Sequence, residues 1–425
     1  MEEEGRGRAP ARRHPGLYLA SGLMNFAGSI GVVALAFYAK AYIHADLFQL
    51  SLITFFGNAV YVTCCPLLGC LSDRWGRRPF IVASTLIFAA AYLGAVFSRQ
   101  VWQLYLVSCF SGFGHALFWP LVEAELAAEA DPHTLRQRLG RFNISWSLGD
   151  CLGALVAGVT LALAPQLPFL LCVVTGIALS LLTARLGLST AGDGARARQQ
   201  RAAENHQLPA NHSTFWKLGL TANLFAAGFV SIVRRLFPDL AVEALHYSGL
   251  QWGFLVMVVG LTRTAVFAVM ERHHGWLYRP KRFFLVQALF PVSFLLIVLA
   301  QGYWVFLFAF ALMGAATGVL YFSSIYYSVH GAASQAHRAG LHEASWGLGE
   351  GLIPLAVGRS RQWAAPYWAE AIRAPYLAGI FLSLAAICIQ LGIFLRGRRE
   401  LEAAGLLPEA PDPPAPAAPA DTEER

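Results

Sequence analysis

The sequence predicts an all-α integral membrane protein, with twelve transmembrane helices in two six-helix, pseudo-symmetric halves. Three observations predict it. Apolar runs of spanning length recur along the chain, basic residues gather in alternate connecting segments, and a stretch near residue 150 returns near residue 350. The 425 residues are 56% apolar and 13% charged, about half the charged share of a soluble domain.

A bilayer span needs roughly 20 apolar residues in succession. Twelve runs meet that need, at 17–39, 48–70, 79–98, 101–126, 143–164, 167–188, 215–237, 250–270, 283–301, 303–328, 341–358 and 374–395. The eleventh carries Glu350 and Pro354, and the seventh ends in Arg234 and Arg235. The organisation that follows is a tail at 1–16, a six-helix half at 17–188, a polar linker at 189–214, a second half at 215–396, and a Pro/Ala-rich tail at 397–425 expected to be disordered.

Orientation follows from lysine and arginine in the loops. With the N-terminus inside, the outer segments hold Lys40, Arg99, Arg234, Arg235, Arg359, Arg361 and Arg373, Arg263 lies within a helix, and the remaining 24 of 32 basic residues fall inside. Both termini are therefore expected in the cytoplasm. The net charge of +7 reports this bias rather than a nucleic-acid surface. Seven cysteines lie in apolar runs without zinc-ligand spacing; no metal and no cofactor is expected.

The repeat is explicit. "SWSLGDCLGALVAG" (145–158) and "SWGLGEGLIPLAVG" (345–358) share seven of fourteen positions at an offset of 200. The first lies on the fifth helix and the second on the eleventh, and Asn25 aligns with Asn223. Two halves of the same orientation imply an axis along the membrane normal and a binding site between them.

Four charges, Asp73, Arg74, Arg77 and Arg78, interrupt two uncharged runs in "GCLSDRWGRRPF". Together with Gly69 and Gly76 they resemble the loop 2–3 signature of the major facilitator superfamily, in the expected place between the second and third of twelve helices. The resemblance covers about 17–396. It implies that fold, and a secondary active transporter that moves a small solute by alternating access, with protons as a possible coupling ion and a monomer expected. The expected location is a bacterial cytoplasmic (inner) membrane. It also implies a gate, in which Asp73 meets the inner end of the eleventh helix, expected near His342 and Ser345, and Arg77 reaches Glu123 or Glu125 on the fourth. The plainer reading is a solvated topology signal. Ser108 stands where relatives with the helix 4 motif carry arginine, and "GALVAG" lacks the proline of the antiporter motif, so proton-driven drug export is not implied.

Charges inside a bilayer cost about 2.5–3.5 kcal/mol each on insertion scales, so Asp150, Arg263, Glu350 and His115 need a reason. Asp150 and Glu350 are repeat mates. In the superfamily the fifth helix packs on the eighth and the second on the eleventh, which pairs Asp150 with Arg263 and leaves Glu350 facing Asn58, Tyr61 and Thr63 without a cation. Glu350 is then the expected site of proton coupling. Near-interface snorkelling is the alternative, and His115 is either a packing residue or a proton relay. Asn25, Asn223, Trp119, Trp146, Tyr321 and Trp346 are the candidate cavity residues, against the default that most aromatics in a bundle pack or anchor. No P-loop pattern and no convergent nucleophile or acid–base set appears, so the chain is not expected to be an enzyme. A transporter-like receptor without flux, or an intramembrane enzyme, is the rival class.

Overall fold

The computed structural model describes residues 15–45, 47–128, 132–188, 208–247, 249–332 and 334–406. Twelve long helices run through them: α1 (Pro15–Ala41), α2 (Leu47–Trp75), α3 (Arg78–Phe97), α4 (Val101–Ala127), α5 (Pro132–Leu163), α6 (Leu167–Arg185), α7 (His212–Asp239), α8 (Gly249–Arg272), α9 (Pro280–Leu299), α10 (Tyr303–Val329), α11 (Gln335–Gly358) and α12 (Ala374–Ala403). Helix α9 is interrupted at Ala288, between segments Pro280–Gln287 and Leu289–Leu299. Eleven of the twelve are long and apolar enough to cross a membrane; α11, which carries the polar "QAHRAGLHE" at its start, is not among them.

The pairings repeat between halves. Helix α1 packs on α5 and α6 as α7 packs on α11 and α12; α2 packs on α4 as α8 does on α10; α3 packs on α6 as α9 does on α12. Two further pairs, α2 with α11 and α5 with α8, join one half to the other. Small residues let the backbones meet. A methyl group on Gly149 would stand 2.1 Å from Gly22 O, and one on the repeat mate Gly349 would stand 1.8 Å from Leu224 O. Such contacts supply dispersion where lipid offers no hydrophobic gain.

Several ends differ from the sequence reading. Helix α5 begins at Pro132, eleven residues before the apolar run at 143, and α11 begins at Gln335 rather than near His342. Both extensions are polar but pack against protein, burying Arg136, Arg138 and Gln335, which hydropathy cannot register. Helix α12 runs to Ala403, into the segment assigned to the tail, where Arg398 and Glu402 pair one turn apart at 2.8 Å. Residues 407–425 of that tail, residues 1–14 and the linker segment 189–207 lie outside the described residues.

Candidate functional site

The loop between α2 and α3 is two residues long, Gly76 and Arg77. Gly76 adopts φ +86° and its N–H donates to Ser72 O at 2.9 Å, so α2 ends in a left-handed turn that favours glycine. Pro79 sits in the first turn of α3, where its missing N–H costs nothing. Arg77 is thereby turned inward. Its guanidinium donates to Glu125 Oε2 at 3.0 Å, with both side chains nearly sealed from solvent. Arg78 donates to the carbonyl of Ala184 at the end of α6, while Arg74 is exposed. The Asp73 side chain lies outside the described residues.

Gly69 brings α2 onto the start of α11. A Cβ there would stand 2.3 Å from Ala336 O and 2.9 Å from His337 N. One turn further along α11, a Cβ on Gly340 would stand 2.5 Å from Cys65 O. Gln335 donates to Ala127 O at the end of α4, 3.0 Å away. The other inter-half seam is built alike: Gly140, the repeat mate of Gly340, lies against Glu271 at the end of α8, Arg136 donates to Glu271 O at 3.0 Å, and Arg141 pairs with its carboxylate at 3.2 Å. The two halves are thus closed together at the end that carries loop 2–3. Residues 116–127 of α4 and 313–329 of α10 are almost wholly buried there.

Of the two acids offered for Arg77, it reaches Glu125. Glu123, fully buried, joins a different group. Tyr321 on α10 donates to Glu343 Oε1 on α11 at 3.0 Å, Tyr61 on α2 donates to Glu343 Oε2, and Glu123 Oε1 lies 3.5 Å from the Tyr321 hydroxyl. His342 places Nδ1 2.9 Å from Ser324 Oγ and Nε2 3.6 Å from Glu343 Oε1. Glu123 Oε2 and His342 Nε2 have no hydrogen-bond partner. Glu123, His342 and Glu343 each offer an atom within 4.8 Å of the others. Both Glu343 oxygens accept tyrosine hydrogens, so α2 and α10 hold this carboxylate in place.

Just beside it, Tyr321 sits between the repeat mates Trp146 and Trp346, each edge-on with ring centroids at 5.2 and 5.3 Å. Arg263 lies over the Trp146 ring, 4.5 Å from its centroid, a cation–π contact. The same guanidinium reaches Asp150 at 3.2 Å and donates to Ser147 at 3.1 Å. Arg234 also reaches Asp150, at 3.0 Å. One carboxylate therefore faces two arginines, the second of which the sequence reading had put in an outer loop. Contrary to expectation, Glu350 has a cation: Arg235 lies 3.3 Å away, and both side chains are about a third exposed. Helix α7 continues to Asp239, so Arg234 and Arg235 sit within it and reach out to α5 and α11 respectively.

The remaining candidates scatter. Asn25 donates to Trp146 O at 3.0 Å, and Asn223, fully buried, donates to His342 O at 3.0 Å and Ser345 Oγ at 2.9 Å. Both tie the first helix of a half to its fifth, so Asn223 belongs to helix packing rather than to a cavity wall. His115 lies 3.0 Å from Ser111 O and packs edge-on against Phe88 and stacked with Trp119. Trp119 also packs edge-on against Phe118 and Phe142. Tyr61, His342 and Glu343 were missed as a site. The available signal was a histidine and a glutamate adjacent within a stretch that continues a helix.

Comparison with known proteins adds the following. The sequence model of the Major Facilitator Superfamily matches residues 17–354. An uncharacterized MFS-type transporter of Mycobacterium tuberculosis is 36% identical over 95 residues, 22% of this chain and 22% of that protein. The class B tetracycline resistance protein of Escherichia coli is 32% identical over 113 residues, 26% and 28% of the two chains, and the multidrug resistance protein MdtH of Yersinia pestis is 30% identical over 116 residues, 27% and 28%. Each match spans less than a third of the relative's length. The crystal structure of the human organic anion transporter MFSD10 (TETRAN) superposes with a TM-score of 0.68 at 18% identity, covering 88% of this chain and 98% of that one.

Proposed function

The chain belongs to the Major Facilitator Superfamily, and from that premise we propose that it is a secondary transporter that carries an amphipathic organic solute across the membrane by rocking its two halves. The supporting observation is the inter-half joint: glycine-mediated seams close one end, while Trp146, Tyr321 and Trp346 meet at the boundary of the halves beside them. Rocking about such a joint gives alternating access, and an aromatic face beside Arg263 suits an organic solute with a ring or a partial negative charge. The names of the tetracycline resistance, multidrug resistance and organic anion relatives point to solutes of that class.

In this reading the basic bias puts both termini in the cytoplasm, so the closed end is the inner one, in a bacterial cytoplasmic membrane. Asp73, one turn beyond Gly69, acts on the start of α11, where a carboxylate gains about 0.3–2 kcal/mol from a helix N-terminus. Asp73→Asn then lowers transport more than it lowers stability. Flux of an aromatic organic solute into proteoliposomes, with and without a pH gradient, tests the whole reading. Gradient-dependent flux is expected; saturable binding with no flux in either condition replaces the transporter with a receptor.

A further inference from the structure

The Glu123 cluster lies where the two halves must separate. Glu123 is on α4 of the first half and Glu343 on α11 of the second, and neither side chain is more than about a fourteenth exposed. The hydrogens available to the pair can be counted. Tyr61 and Tyr321 each have one, and both are given to Glu343. Tyr321 therefore has none left for Glu123 Oε1, and 3.5 Å is long for the O–H···O contact. The His342 Nε2 separation of 3.6 Å is too long to supply one. From α2 the other titratable neighbour is the Cys65 thiol. Arg263 on α8 stands across Tyr321, committed to Asp150 and Trp146, and Arg77 is committed to Glu125. Yet an oxygen of Glu123 and an oxygen of Glu343 lie within 4.8 Å of each other in this dry site. Two like charges that close in a buried site disfavour joint ionisation, and because Glu343 already accepts two hydrogens the one proton falls to Glu123.

We infer that Glu123 and Glu343 hold one proton between them, and that this proton latches the halves shut at the loop 2–3 end. With the proton in place the pair carries one charge instead of two, and the seam can stay closed over it. Without it, two like charges face each other in a dry site and gain by moving apart into water. Tyr61 and Tyr321 hold Glu343 as the acceptor, which leaves Glu123 as the group that loses and regains the proton. The inference rests on the two-half reading above and moves the site of proton coupling from Glu350 to this pair.

The buried Cys65, whose carbonyl meets Gly340 across the seam, is a reporter that needs no solute. In lipid vesicles, the infrared band of a protonated carboxyl and the alkylation rate of Cys65, read by mass spectrometry, are followed from acidic to alkaline pH. In the wild type the band should fade as alkylation accelerates. Glu123→Gln, which carries a permanent neutral group, should lack the band. Its Cys65 should react at least about tenfold more slowly than wild type at alkaline pH, the factor that about 1.4 kcal/mol of relieved repulsion gives. Removing the negative charge beside the thiol favours its ionised, reactive form, so a slower reaction in the variant reports closure and not ionisation. Should Glu123→Gln not fold, Glu343→Gln removes the charge that Glu123 faces, and the Cys65 rate alone is read there. Equal Cys65 rates in wild type and variant at every pH overturn the latch, as does a band that survives in the variant or is abolished by Zn²⁺ at constant pH. Cys65 switching without any solute flux leaves the latch standing and removes the transport reading alone.

Discussion

Arg263 and Asp150 meet at 3.2 Å across the boundary of the two halves, with the guanidinium fully enclosed and the carboxylate partly open. Arg234 closes on the same oxygen at 3.0 Å. Removing the carboxylate strands two cations rather than one. A buried pair broken on one side loses about 3–5 kcal/mol, and the lower part of that range applies here because Arg234 is about a third exposed and screened. Asp150→Asn should lower the thermal stability of the purified protein. Adding Arg263→Gln should recover more of it than adding Arg234→Gln, since Arg263 has no path to water. A double variant with Arg263→Gln that is less stable than Asp150→Asn would remove the pairing.

The Arg77–Glu125 pair is drier still. Arg77→Gln should cost about 3–5 kcal/mol, and Arg77→Lys should restore only part because an ammonium cannot reproduce the fork of donors. Neutralising both partners should be milder than either single change. Denaturation in detergent separates these, and an unimpaired Arg77→Gln would reduce the arginine to a topology signal.

Backbone-to-backbone contact across the α2–α11 seam makes a third prediction. The Cβ of Gly340→Ala would stand 2.5 Å from Cys65 O, and that of Gly69→Ala 2.3 Å from Ala336 O. Neither neighbour is a flexible side-chain end, so the helices must part. Both variants should expose Cys65 to alkylation at every pH. Protection equal to wild type would show that the seam opens elsewhere.

A pH effect on stability is expected from His330, which follows the last residue of α10 and takes a 3.1 Å contact from the Tyr278 hydroxyl. Burial lowers its pKa from 6.5 to about 4. The folded state thus binds fewer protons than the unfolded one below pH 6.5. The stability this histidine contributes is complete above that pH and is lost as the pH falls towards about 4. The melting temperature should drop over that interval, and His330→Asn should flatten the drop. An identical pH profile in the variant would assign the loss to other groups.

Much of this was legible in the chain itself. Spanning runs, the repeat at an offset of 200 and the loop 2–3 residues carried the fold, because burial in lipid demands long apolar helices whatever their partners. The expectation that Asp150 meets Arg263 came from the resemblance, whose helix neighbours place the two together, and from the cost of an intramembrane charge without a partner. Tertiary structure decided the rest. Glu123 and Glu125 are two positions apart on one helix, about 200° around its axis, and no local signal says which faces Arg77. Arg234 and Arg235, at the end of the seventh run, were counted with the outer segment until α7 was seen to continue past them to Asp239. The polar start of α11, which carries His342 and Glu343, is buried only because α2, α4 and α10 surround it. Hydropathy measures what a segment would cost in lipid and is silent on polar groups that other helices shelter, and there the Glu123–Glu343 pair lies.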